Sequence, residues 1–297
     1  MATFSLDFIY WMQETGNVVT ETFFRFVSLF GEKYFLLSLL AAIYWAINKR
    51  LGEFLAVTLG LSLTLAHVFK GFTAVERPFE AVDGIENRAL GTAEGSAFPS
   101  AHVQGAASVF TAVAAWVRRR AAFLLAAVLM LGMMLSRLYL GVSGAVDVVT
   151  GGVFGIVVLV VHGRLYRSMG DDALALRRYY SMLAFIFLLG LFIFEEHAFY
   201  RAFGLFVGIL VAVSQERTQL GFTTDVPWRV KLMRVFVGLL LIFSLLFLLR
   251  FLFGLLGAAE GSWLENMLDF IRYLMVAYFG FFLYPGLFTI FENRREQ

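Results

Sequence analysis

The chain has 297 residues, 60% of them hydrophobic and only 15% charged, with 34 Phe and a mean hydropathy of +0.78. A soluble globular domain is nearer one half apolar with about a quarter charged, so the composition excludes one, and it equally excludes a disordered chain, which lacks apolar surface. A net charge of +2 gives no reason to expect nucleic acid as a partner, and the absence of Cys removes disulfides, thiolate nucleophiles and Cys-ligated metals.

Residues 1–32 show no basic leader followed by an unbroken apolar core, so no cleavable signal peptide is expected. Phe4, Phe8, Trp11 and Met12 recur at helical spacing, while Asp7, Glu14, Glu21 and Arg25 interrupt any stretch long enough to span. This pattern predicts N-terminal interfacial amphipathic helices. Apolar windows follow at roughly 33–48, 51–69, 103–117, 121–140, 146–163, 179–194, 201–215, 232–257 and 267–291. Since a bilayer core takes about 20 apolar residues as a helix, the expected fold is an all-α integral membrane protein of about nine transmembrane helices. The runs are continuous and do not alternate, which argues against a β-barrel.

Lys and Arg favour cytoplasmic loops. If the spans alternate, one side collects Lys49 and Arg50, the Arg118–Arg120 triplet, Arg164 and Arg167, Arg229 and Lys231, and Arg294 and Arg295. The other side is richer in acids, among them Glu76, Glu80, Glu94, Glu195 and Glu260. The first side is expected to be cytoplasmic and the second extracytoplasmic, as in a bacterial inner membrane.

The basic residues that remain on the outer side fall in three clusters at span ends. They are Lys70 with Arg77-Pro78, then Pro99-Ser100-Ala101-His102, then Ser136-Arg137 with Asp147. Although far apart in sequence, these ends can converge at one interface. One Lys, two Arg and a Ser beside helix N-terminal amides make a cationic cup suited to phosphate.

The run from Lys70 to Pro78 resembles the K-x6-R-P element of the type-2 phosphatidate phosphatase superfamily. Pro99-Ser100-Ala101-His102 resembles its P-S-G-H element, and Ser136-Arg137-x5-Ser143-x3-Asp147 its S-R-x5-H-x3-D element. The resemblance covers roughly residues 33–163 as a five-span phosphatase-like membrane core, leaving 164–297 as C-terminal transmembrane helices. It implies a lipid phosphate phosphohydrolase without metal or other cofactor. Lys70, Arg77, Ser100 and Arg137 would bind phosphate, His102 would protonate the leaving alcohol, and Asp147 would orient the nucleophile. The implied partners are the bilayer and a lipid phosphate or lipid pyrophosphate.

The departure is at the nucleophile, where Ser143 stands in place of the family's His. A hydroxyl needs a base, and a carboxylate such as Asp147, with a reference pKa of about 3.9, is a weak one. His102 is the other possible base for Ser143. Three readings stay open: an introduced change, a natural loss of catalysis, or another chemistry. Beside the phosphatase stands the alternative of a noncatalytic lipid-phosphate binder or lipid-transport protein.

Elsewhere, the acidic loop 79–98 reads as a solvated connector or as a lid over the cup. Arg250, Asp269 and Arg272 lie within or near apolar spans, and two readings stay open for them: an Arg250–Asp269 pair that stabilises the packing, or contact with substrate. Gly204-x3-Gly208 is a small-residue packing pattern. No nucleotide-binding glycine loop and no metal-ligand spacing occurs.

Overall fold

The computed structural model describes residues 2–89, 91, 95–170 and 172–293, and among them every regular element is helical. Of the residues used above to assign sidedness, Glu94, Arg294 and Arg295 lie outside this set. The N-terminal part comprises α1 (Ala2–Glu14), α2 (Val18–Leu29), α3 (Lys33–Ala42) with a π-turn at Ile43–Ile47, α4 (Lys49–Thr73) and the short α5 (Pro78–Ala81). Then come α6 (Ala101–Val117), α7 (Arg120–Tyr139), α8 (Ala145–Met169), α9 (Ala173–Leu188) and α10 (Gly190–Ile193). The chain ends with α11 (His197–Gln219), α12 (Trp228–Gly254), α13 (Trp263–Tyr278), a second π-turn at Phe279–Leu283, and α14 (Tyr284–Asn293).

Several helix starts are written locally. Asn17 Oδ1 accepts from the amides of Val19 and Thr20, both at 3.0 Å, and Asp172 Oδ1 does the same for Leu174 and Ala175. Such caps satisfy amides that the first helical turn leaves open.

Among the described residues, seven helices, most of them single and some joined with a short neighbour, are long and apolar enough to cross a membrane, and α2 with α3 qualifies as a further span if taken as one segment bent by 48°. Two expected windows therefore change character. Window 33–48 is the second arm of that bent pair, and window 103–117 corresponds to α6, which at 17 residues is shorter than the others. The apolar side chains left on the outside suit lipid: on α12, Phe236 and Phe247 are each 72% exposed. Exposed apolar surface on this scale marks contact with a membrane. The protein is an integral membrane protein.

By its internal contacts the chain divides into two compact units. The first contains Met1–Leu36 and Leu65–His162. Within it, α7 packs against α6, α2 and α1. α8 lies against α6 through glycines: a Cβ on Gly151 would come within 2.6 Å of the Ser100 carbonyl oxygen, and one on Gly155 would fall on the Gln104 carbonyl. Close backbone approach through small residues is how membrane helices gain packing without a hydrophobic driving force.

The second unit contains Leu37–Thr64 and Gly163–Gln297. Here Gly204 and Gly208 serve the expected packing role, since side chains at those positions would meet the carbonyls of Phe270 and Leu274 on α13. The two π-turns face each other, with Trp45 Nε1 donating to the Gly280 carbonyl at 2.9 Å and Tyr44 Oη to that of Phe281 at 3.2 Å. A π-turn disturbs the regular ladder and frees carbonyls for such donors. The Arg250–Asp269 pair does not form. Asp269 is held by Arg201 and, at 2.6 Å, by Arg272, while Arg250 is exposed, because the charges on α11 and α13 itself lie closer to Asp269.

Candidate functional site

All seven residues singled out from the three sequence clusters fall in the first compact unit, at or beside the ends of α4, α5, α6, α7 and α8. Lys70 lies in the last turn of α4. Arg77 precedes α5, where Pro78 starts the helix and the Glu80 carboxylate accepts the Arg77 amide at 3.0 Å. Its guanidinium is buried and bridges two segments. Nη1 donates to the Val142 carbonyl at 2.7 Å and Nε to that of Gly95 at 2.9 Å.

Ser100 occupies the N-cap of α6 but makes no side-chain capping bond. Its hydroxyl instead accepts from Ser143 Oγ at 3.4 Å, and its amide donates to the Asp147 carbonyl at 3.1 Å. The second and third sequence elements thus meet directly. Ser143 is 2% exposed and follows a turn in which Gly141 takes φ +73°, a backbone conformation glycine adopts without a Cβ penalty.

Asp147 is the third residue of α8. Its Oδ2 accepts from the Gly144 amide at 2.6 Å, so part of the carboxylate serves the helix N-terminus as in a capping box. The charges of Lys70 and Arg77 act on this carboxylate, while those of Arg77 and Glu32 act on the Arg137 guanidinium, so the three basic residues share one electrostatic neighbourhood. Arg137 is 1% exposed, and its Nη1 donates to Ser28 Oγ at 2.9 Å.

The segment 95–98, which leads into α6, folds against the cations. Lys70 Nζ donates to the Ser96 carbonyl, Ser96 Oγ returns a bond to the Lys70 carbonyl at 3.2 Å, and the Ala97 amide reaches the Val75 carbonyl at 2.8 Å. Residues 95–98 are therefore a wall of the cluster rather than a loose connector.

Sequence reasoning missed the N-terminal arm. Ser5 Oγ accepts the Ala145 amide at 2.9 Å, and Gln13 clamps the Glu86 backbone to the Tyr139 carbonyl. The Phe24 carbonyl accepts from Ser136 Oγ at 2.7 Å. Glu32 reaches His102, with Oε1 at 3.0 Å from Nε2. Among the described residues no group of three or more acidic or His side chains is arranged to hold a metal.

Three cations, two hydroxyls, an imidazole and a carboxylate thus stand at or beside helix ends within one compact unit of an integral membrane protein. The PAP2 superfamily matches residues 53–168, and the PAP2 superfamily phosphatase transmembrane extension matches residues 200–295. The chain belongs to the PAP2 superfamily and has its membrane phosphatase fold. Among solved structures, it is similar to the crystal structure of Aquifex aeolicus LpxE at 18% identity, over 54% of this chain and 95% of that one, with a TM-score of 0.48. No curated protein matches the chain.

Proposed function

We propose that the protein binds the phosphate of a lipid phosphate or lipid pyrophosphate at this cluster, on the extracytoplasmic face of a bacterial inner membrane. Lys70, Arg77, Ser100 and Arg137 hold the phosphate oxygens, His102 faces the leaving alcohol, and Asp147 supports position 143. The observation that carries this reading is the meeting of the three elements through the bonds of Arg77 to Val142, Ser100 to Asp147 and Ser143 to Ser100. Buried cations at helix ends favour a polyvalent anion, and a site at a span end lets a lipid tail stay in hydrocarbon. With Ser143 in place of an imidazole, the reading is phosphate binding in this sequence and hydrolysis once a histidine stands there.

Binding of a fluorescent phosphatidate to detergent-purified protein tests the cup. Arg77→Ala is expected to weaken binding about 10- to 100-fold, since hydrogen bonds to charged groups contribute about 1.5–3 kcal/mol each. Unchanged affinity would show that phosphate sits elsewhere. Sidedness has its own test, because the chain has no Cys. A single Cys placed at Arg119, in the turn between α6 and α7, is expected to resist an impermeant maleimide added outside intact cells and to react after lysis. Labelling in intact cells would invert the topology.

A further inference from the structure

Glu32 lies outside both matched segments, 53–168 and 200–295. Its carboxylate nevertheless contacts a ring nitrogen of His102, and the two side chains are 17% and 18% exposed. The turn that carries Glu32 is built against that histidine. α2 stops at Leu29 and α3 starts at Lys33, and a Cβ on Gly31 would lie 2.8 Å from the Met133 side chain and 3.2 Å from the His102 carbonyl oxygen. The arm is anchored one turn earlier by Ser28 to Arg137 and, before that, by Phe24 to Ser136. Glu32 thus has a fixed place relative to both the second and the third sequence element.

The charge balance argues that this contact is more than a staple. The charged groups acting on the His102 imidazole are Glu32 and Lys33 from the arm and Arg137 from α7. Two are cations, and Glu32 is the one anion that offsets them. A proton on the ring would otherwise face two like charges in a largely buried setting, where Coulomb terms are poorly screened.

We propose that Glu32 is the positioning residue of His102: it takes the Nε2–H of the ring and so leaves Nδ1 as the nitrogen that exchanges a proton with the leaving oxygen of a phosphate ester. The inference rests on the reading of this cluster as a phosphate-ester site. In the hydrolytic form, an imidazole at position 143 attacks phosphorus and the bond from phosphorus to the lipid oxygen breaks. The proton from His102 then goes to that oxygen. A carboxylate that fixes the tautomer and orientation of an imidazole is the general device by which histidine is made an effective acid or base.

Two measurements test it, one without turnover. In the unsubstituted protein labelled with 15N-histidine, the His102 signals, assigned with His102→Gln, are expected to report the Nε2–H tautomer. Glu32→Ala is expected to mix the tautomers, and Glu32→Asp to restore the original state in part. An unchanged His102 tautomer in folded Glu32→Ala overturns the proposal whatever the protein catalyses. In the Ser143→His background, Glu32→Ala is expected to lower kcat on a lipid phosphate about 10- to 100-fold. The rate on p-nitrophenyl phosphate should stay within about threefold, because nitrophenolate departs without a proton and so bypasses the acid. Equal slowing on both substrates makes Glu32 a scaffold residue and also overturns the proposal. A tautomer change together with no phosphate release from Ser143→His supports the Glu32–His102 pairing and overturns the hydrolytic reading of the site instead.

Discussion

Phosphate release from a lipid phosphate is the expected result of Ser143→His, at a rate at least about 10³-fold above that of the unsubstituted protein, since losing a catalytic nucleophile costs that much or more. The chemistry needs a basic atom near phosphorus, and a serine hydroxyl supplies one only when a neighbour takes its proton. Ser143 Oγ donates to Ser100 Oγ, and among the described residues no imidazole is hydrogen-bonded to it. Asp147 spends Oδ2 on the Gly144 amide, which leaves Oδ1 to orient a ring introduced four residues before it, in the segment that leads into α8. A histidine at this buried position adds bulk, so Ser143→Asn, which adds comparable volume without a ring nitrogen, is the control. It should release no phosphate. Adding Asp147→Asn to Ser143→His should lower the rate again by about 10²-fold or more, because the introduced ring loses its orienting charge. If Ser143→His folds, binds phosphatidate and still releases nothing, the site lacks more than a nucleophile.

The second large effect is on stability. Glu53 is 1% exposed in the second compact unit; its Oε2 accepts from Arg217 Nε at 2.8 Å and its Oε1 from Tyr180 Oη at 3.0 Å. Arg217 also donates to Tyr166 Oη at 2.7 Å, and nearby Glu216 pairs with Lys49 at 2.6 Å. Arg217→Met leaves the Glu53 carboxylate buried without its cation. Breaking one side of a buried pair costs about 3–5 kcal/mol. At about 2–4 °C per kcal/mol for a domain of 150–250 residues, the melting temperature should fall by roughly 10 °C. The double variant Glu53→Met with Arg217→Met is expected to recover most of that loss, since removing both charges also removes the desolvation cost. A melting temperature unchanged in Arg217→Met would mean that water or another cation satisfies Glu53.

The residues of the candidate site could be singled out because each element carries its signal locally. Lys70, Arg77, Ser100, His102, Arg137 and Asp147 stand at the ends of apolar runs, where a charged side chain is tolerated, and the order of the runs brings those ends to one interface. The Glu32–His102 contact had no such signal. Residues 1–32 read as a chain lying on the membrane surface, because interrupted apolar spacing looks the same whether a helix rests on lipid or on α7. Pairing with Arg250 was one of two sequence readings for Asp269, yet Arg201 and Arg272 hold it. Sequence spacing does not say which faces of α11, α12 and α13 turn toward one another.

Residence in the membrane, an all-helical fold and the three polar clusters at span ends were determined by the sequence by itself. These depend on the number and continuity of apolar residues, and burying about 20 of them in a row is favourable whatever the helix packs against. Only the tertiary structure decided that Ser5, Gln13, Ser28 and Glu32 reach the clusters, that the chain bends between α2 and α3, and which cation each buried carboxylate receives. Hydrogen bonds and ion pairs act over about 3 Å, so they depend on how helices cross and rotate. That geometry is set by many glycine and side-chain contacts acting together and has no signature in any one stretch of chain.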